Sequence, residues 1–355
     1  MKTGYIIGLA LGHNASICLL NDGEIVFSVE EERLSRSKAD GAPLLGLLKV
    51  LDYTDKVDYI AIAYPAEDRP LLEYTREHVY SGFARKLGLV SSNDQYLNYT
   101  NRHHLTHAVC AFHNSGFESA AVVVVDGAGS DIKLNILDDH KEPIRAYEIE
   151  SIYNFVDVDN YSAIYKRYGA QNVQVLPDRR IVNGCETIVD FSAGIGRAYD
   201  AVTDYLGFSL LECGKTMGLS AYGKPNAHIP NFFLHDGEWS YVNTALITPT
   251  FKAASHINVA KFKHINDISA EDIAYKIQQE TQQEVLKLII KASEMSGNKN
   301  VCLTGGYALN CVANYYYKEK LNELGINLYV EPNSSDAGTS IGAALLTYRY
   351  TKEMK

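Results

Sequence analysis

At 355 residues and 46% hydrophobic composition, the chain is long enough to bury the core of one large bilobal domain or of two ordinary ones. A formal net charge of −10 disfavours a broad nucleic-acid or acidic-membrane surface, because phosphate attraction needs a field of the opposite sign. No apolar run approaches the roughly 18 to 20 residues of a membrane span, and the N-terminus turns polar and glycine-rich too early for a secretory signal, so a cytoplasmic location is expected.

The first thirty residues, YIIGLALGHNASICLLNDGEIVFSVEEE, read as strand, glycine loop, strand, tight turn and strand, with Asn-Asp-Gly as the hairpin signal. EEERLSRSKAD follows as a strand end and loop of alternating charge, either a solvated face or a place where Arg33, Arg36 or Lys38 holds an anionic group. In HHLTHAVCAF, His103 and His107 are four apart, so a helix sets both rings on one face, while His104 points about 100° away. That stretch is a metal-binding face, a proton-transfer group or a set of ordinary solvated histidines.

About 120 residues after the first unit, AAVVVVDGAGSDIKLNILDDHKEPIRAYEIE repeats the order of strand, glycine loop, strand, acidic turn and strand. Asp126 closes the apolar run, where a carboxylate faces the crevice of an open α/β sheet or simply forms the turn before Gly127. TIVDFSAGIGRAYDAVTDYLGF and SAEDIAYKIQQETQQEVLKLIIKASEMSG have helical periodicity, the second with Ser269 as N-cap and Gly297 as C-cap. NVCLTGG then leads into one helix and INLYVEPNSSDAG into another, with Asp336 either an N-cap or a second crevice carboxylate. Two imidazoles and two carboxylates would suit iron, manganese or zinc.

Three loops have the backbone character of phosphate or ribose sites: GLALGHNAS with His13, CGKTMGLSAYGKP with Lys215 and Gly218, and LTGGYALN with Gly305, Gly306 and Asn310 directly before a helix start. Gly127 in DGAGS belongs to the same class. The six cysteines form no CxxC pair and read mostly as buried free thiols; Cys213 has no activating histidine nearby in sequence. Arg167, Arg179 and Arg180 form either a local basic groove or a solvated face. The duplicated α/β unit is the pattern of the actin, sugar-kinase and heat-shock ATPase superfold, with lobes at about 1–118 and 119–355, a ligand cleft between them and an irregular insertion at about 227–265.

Seven of these motifs, GHNAS with NDGEIVFSVEEERLSRSK, HHLTHAVCAF, VVVVDGAGS, DAVTDYLGF, GKTMGLSAYGKP, LTGGYALNCVAN and DAGTSIGAAL, occur in one order along almost the whole chain. In this the sequence resembles the carbamoyltransferase family that makes O-carbamoyl groups on antibiotics, nodulation factors and saxitoxin-type compounds. The resemblance implies a metal-containing transferase domain related in fold to the enzyme that installs threonylcarbamoyl on tRNA adenosine. It implies metal ligands at His103, His107, Asp126 and Asp336, and nucleotide contacts at Lys215, Gly305, Gly306 and Asn310. His13 and Lys38 match the acceptor and carbamoyl pocket, with His104 beside the metal pair.

The expected reaction moves a carbamoyl group from carbamoyl-adenylate, made from carbamoyl phosphate and ATP, to an acceptor hydroxyl, with His13 or His104 taking the proton. The expected metal is iron, with manganese and zinc as alternatives. Family members continue into a second domain that makes carbamoyl-adenylate. Because this sequence stops at TYRYTKEMK, the expectation is a partner acting in trans, an altered donor, or a truncated chain. The acceptor pocket is expected in loops around 150–185. Two rival readings are a nucleic-acid-modifying enzyme, disfavoured by the charge, and a catalytically silent metal- or nucleotide-binding subunit, disfavoured by the complete ligand set.

Overall fold

The computed structural model describes residues 4–65, 79–134, 143–170, 178–190, 194–237, 239–248, 256–257 and 268–353. They divide into two compact units, Met1–Gly116 with Glu331–Lys355, and Phe117–Val330. Among the described residues no helix is long and apolar enough to cross a membrane.

The first unit holds β1 (Tyr5–Ala10), β2 (Ser16–Asn21), β3 (Glu24–Glu30), α1 (Glu31–Ser35), α2 (Leu44–Val50), β4 (Tyr59–Ala63), α3 (Val79–Lys86), β5 (Tyr96–Asn98), α4 (His103–Ser115) and a C-terminal helix, Ala337–Glu353. Its five-stranded sheet runs β3-β2-β1-β4-β5, antiparallel from β1 to β3 and parallel from β1 to β5. The β2–β3 turn is as expected: Asp22 and Gly23 both take positive φ, 51° and 90°, the geometry that Asn-Asp-Gly favours.

Side-chain size alternates along the central pair of strands. Ile7 pairs with Ile60 and Leu9 with Ile62, and all four enter the core with Leu47 and Val50 of α2. Gly8 pairs with Ala61 and Ala10 with Ala63, so the opposite face is shallow. The C-terminal helix packs there, against β1, β2, β4 and α4. A Cβ on Gly8 would sit 1.9 Å from the Ser340 carbonyl, so the helix touches backbone. The expectation that kept this helix with the second lobe is therefore corrected: its small-residue partners lie in the first unit.

The second unit contains β6 (Ala120–Val125), β7 (Asp131–Leu134), β8 (Ile144–Phe155), β9 (Tyr161–Ala170), β10 (Asp178–Val182), β11 (Cys185–Asp190), α5 (Gly194–Tyr205), α6 (Cys213–Ser220), β12 (Phe233–Asp236), β13 (Trp239–Val242), β14 (Ile247–Thr248), β15 (His256–Ile257), α7 (Ala270–Ser296), β16 (Asn300–Thr304), α8 (Cys311–Asn322) and β17 (Asn327–Val330). Its eight-stranded sheet includes the path β9-β8-β6-β16-β17, antiparallel on one side of β6 and parallel on the other. This repeats the order and polarity of the first sheet, and the fold is the duplicated α/β arrangement of the actin and sugar-kinase superfold.

The echo differs in one respect. β7 does not pair with β6; both pair with β8, β7 along Ile144–Tyr147 and β6 along Glu150–Phe155. Through Asp126–Ser130 the chain runs on beside β8, held by Gly129 N–H to Glu148 O at 2.8 Å and Glu148 N–H to Ser130 O at 3.1 Å. The glycine loop is thus an irregular stretch of one strand column. The acidic turn at 138–142 lies outside the described residues.

Ser269 Oγ accepts the Asp272 N–H at 3.1 Å and Gly297 takes φ 67°, so both expected caps of α7 are present. Three other expectations are corrected. TIVD is the end of β11, and α5 is described from Gly194; EERLS is the short helix α1; and within 150–185, expected as acceptor loops, 150–155, 161–170 and 178–182 are strand. Within 227–265, Phe232, Phe233, Val242 and Ile247 join the core of the second unit, and the described part holds two small ribbons.

Candidate metal centre

α4 starts at His103 after a single 3-10 turn and ends at Gly116, whose φ of 69° closes it. His103 and His107 are wholly buried, their rings nearly perpendicular and 4.7 Å apart between centroids. The two Nε2 atoms face each other at 3.2 Å. Asp336 stands at the N-terminal boundary of the C-terminal helix, where its carbonyl accepts Thr339 N–H at 3.0 Å. Its carboxylate does not cap that helix: Oδ1 lies 3.4 Å from His103 Nε2 and 3.5 Å from His107 Nε2.

These separations suit chelation. Metal–ligand bonds of about 2.0–2.2 Å, opened at about 90–110°, put neighbouring donor atoms about 2.8–3.6 Å apart. Burial works against the charged form of Asp336, but the His103 and His107 imidazoles overcome it and hold its carboxyl well below the usual carboxylate range. A deprotonated carboxylate beside two imidazole nitrogens is a mixed N/O donor set, one that fits iron, manganese or zinc. His104 is also wholly buried, its ring 6.1 Å from that of His103.

His13 is exposed on the β1–β2 turn, where Gly12 takes φ 87°. Gly12 N–H donates to Gly41 O at 3.4 Å, so this turn is tied to the loop that carries the exposed Lys38. Ser16 Oγ donates to the Ala337 carbonyl at 2.8 Å, anchoring the same turn beside the residue that follows Asp336. Glu31, missed in the sequence, is a buried carboxylate that accepts Leu45 N–H at 2.6 Å and Gly46 N–H at 2.9 Å, so it stabilises the start of α2.

In the second unit, Asp126 follows β6 and its Oδ1 accepts Gly306 N–H at 3.2 Å. A Cβ on Gly305 would fall 2.3 Å from the Val125 carbonyl, so that glycine is needed for packing against β6. The Gly-Gly pair does not lead directly into an α-helix as expected. A 3-10 turn, Gly306–Leu309, intervenes, and Asn310 caps α8 by accepting Ala313 N–H at 3.0 Å. The Asn310 amide also pairs reciprocally with Gln278, at 2.9 and 3.1 Å.

CGKTMGLS is helix α6, not a loop. On it Gly214 and Gly218 leave open space, and exposed Lys215 pairs with Glu212 at 2.6 Å. Arg197 is a residue that pattern reading passed over: its Nε donates to Gly127 O at 3.2 Å, and the signal available was a basic residue in the first turn after Gly-Ile-Gly.

Two other candidates lose their chemistry. Cys213 Sγ donates to Asp200 Oδ1 at 3.2 Å, and burial together with that carboxylate pushes its thiol up to about 12. Arg167, Arg179 and Arg180 each face a carboxylate, Glu150 at 3.7 Å, Glu186 at 2.9 Å and Asp178 at 2.9 Å, so they offer no uncompensated basic groove.

The sequence matches the family described as Carbamoyltransferase N-terminus over residues 73–345. Nodulation protein NolNO of Sinorhizobium fredii is 26% identical across 94% of this chain, which covers 46% of that protein. An uncharacterised Synechocystis protein is 28% identical across 96% of this chain, which covers 56% of it. The chain thus spans about half the length of these curated relatives. Among solved structures, full-length HypF in a phosphate- and nucleotide-bound form shares the fold, with a TM-score of 0.60, 13% identity, and coverage of 99% of this chain and 56% of that one.

Proposed function

Because the chain belongs to the carbamoyltransferase N-terminal family, we propose that it transfers a carbamoyl group from carbamoyl-adenylate to the hydroxyl of a small-molecule acceptor. The observation that carries this reading is the donor set of the buried His103 and His107 with the part-buried Asp336 in a chain of that family. Asp126, at the carboxyl end of β6, is proposed as a further ligand of the same ion, and iron as the ion. When bound, a divalent cation supplies Lewis acidity toward the AMP phosphate or the carbamoyl oxygen.

The protein's own residues do the rest. His13, exposed on its glycine turn, takes the acceptor hydroxyl proton as general base. The acceptor oxygen forms the new bond to the carbamoyl carbon, the bond to the phosphate oxygen breaks, and AMP leaves with the electron pair. Lys38, on the loop tied to the His13 turn, holds the carbamoyl group. The glycine segments at Gly127, Gly305 and Gly306, with Lys215 and Gly218 of α6, form the nucleotide side of the site. His13 is preferred to His104 as the base because His104 is wholly buried.

The test is direct. The protein is incubated with ATP, carbamoyl phosphate and a panel of hydroxylated acceptors that includes nucleosides and DNA, with and without a carbamoyl-adenylate-forming domain, and products are read by mass. One carbamoyl increment that is lost on His13→Ala supports the reading. No increment under any combination, from protein shown to bind metal and nucleotide, sinks it.

A further inference from the structure

The face of α4 that carries His103 and His107 continues through Cys110 and Asn114, at steps of four, three and four residues along the helix. This stripe lies against the segment 331–338 along its length. His103 and His107 meet Asp336 at 3.4 and 3.5 Å, and a Cβ on Gly338 would stand 3.4 Å from Cys110 Sγ. At the far end, Asn114 Nδ2 donates to both carboxylate oxygens of Glu331, at 3.2 and 3.1 Å. Glu331 is only 1% exposed, and its Oε1 also accepts Asn333 N–H at 2.8 Å. A carboxylate removed from water is costly unless its hydrogen bonds are made. Here those bonds tie α4 to the turn that leads into Asp336.

We propose that Asn114 and Glu331 are positioning residues for the metal centre, setting where the 331–336 turn presents Asp336 to the two imidazoles. The inference rests on the reading of His103, His107 and Asp336 as metal ligands. The ligand-bearing turn is fixed at both ends: by the C-terminal helix, whose Gly342 touches α4 backbone, and by the Asn114–Glu331 contact seven residues beyond His107. Metal sites tolerate donor displacements of only about 0.2 Å. Loss of the Asn114 contact removes the bond that ties this end of the turn to α4, and the expected cost is that of removing a group that orients a ligand, about 10- to 100-fold in metal affinity.

Cobalt(II) titration of the full chain, followed by its visible absorption and by calorimetry, tests this, with thermal unfolding of the metal-free proteins alongside. Asn114→Ala weakens cobalt binding 10- to 100-fold, and Asn114→Asp weakens it further by setting two carboxylates face to face. The exchanged pair Asn114→Asp/Glu331→Gln restores a carboxylate–amide contact and brings affinity back to within about threefold of wild type. A role in folding alone would move the unfolding midpoint and leave the cobalt spectrum unchanged. Wild-type cobalt affinity in Asn114→Ala, or an exchanged pair as weak as Asn114→Asp, overturns the proposal. Failure of the wild-type protein to bind cobalt at all overturns the metal reading itself, and this inference with it.

Discussion

Gly342→Ala isolates how the C-terminal helix sets the candidate metal centre. A methyl group there would lie 1.9 Å from the Thr106 carbonyl oxygen, 2.6 Å from its carbon and 2.8 Å from its Cα, all backbone atoms that cannot rotate away. Ordinary contact needs about 1.5 Å more, so α4 and the C-terminal helix must separate by roughly that distance or distort. Thr106 lies in the turn between His103 and His107, and its hydroxyl donates to the His103 carbonyl at 2.7 Å. The displacement is therefore delivered to the ligand-bearing turn, several times the about 0.2 Å a metal site tolerates. The expected result is a loss of about 1–3 kcal/mol in denaturant unfolding, with cobalt affinity down at least about tenfold. Gly214→Ala, whose methyl would meet nothing within 4 Å, is the control and should leave stability unchanged or raise it by up to about 1 kcal/mol. Wild-type cobalt affinity in Gly342→Ala would refute the claim that this close approach positions the ligands.

Two further outcomes are expected. Thiol alkylation at pH 7–8, mapped by peptide mass, should modify the exposed Cys311 long before Cys213, whose thiol is pushed up to about 12; equal rates would contradict the Cys213–Asp200 contact. The Asp272 carboxyl is held below the usual aspartate range by Lys224 N–H and the Asn226 amide. Its contribution is present above the unfolded value of about 3.9 and is lost as pH falls through the lower folded value, so Asp272→Asn should flatten the acid limb of the stability curve below about pH 4. An unchanged acid limb would refute that assignment.

Local chemistry was legible wherever a feature is satisfied within a few residues. Ser269 and Gly297 bound α7 because a cap is a contact across three or four positions, and Asn21-Asp22-Gly23 declares its own turn. The pair His103 and His107 was readable from helical spacing, and Asp336 from its place before a helix. What stayed hidden depends on distant chain. That the C-terminal helix belongs with β1 follows from Gly8, Ala10, Ala61 and Ala63 lining one face, a pattern visible only once the strand register is known. Asp126–Ser130 looked like a reversal because glycine permits one, yet Glu148 holds it in line. Glu31 lay in a run read as a solvated face and Glu331 drew no reading, and only the structure shows their carboxylates buried against backbone and amide donors.

The division of the chain also sets an order of assembly. The second unit is one uninterrupted stretch, Phe117–Val330, whereas the first is closed by Glu331–Lys355, and its Ser16–Ala337 hydrogen bond spans 321 residues. During synthesis the inserted unit has all of its residues available while the N-terminal sheet still lacks the helix that covers its shallow face. Contacts of such long sequence separation close late. A ribosome paused before residue 331 therefore carries His103 and His107 without Asp336, so the proposed donor set is complete only after the whole of the second unit has been made.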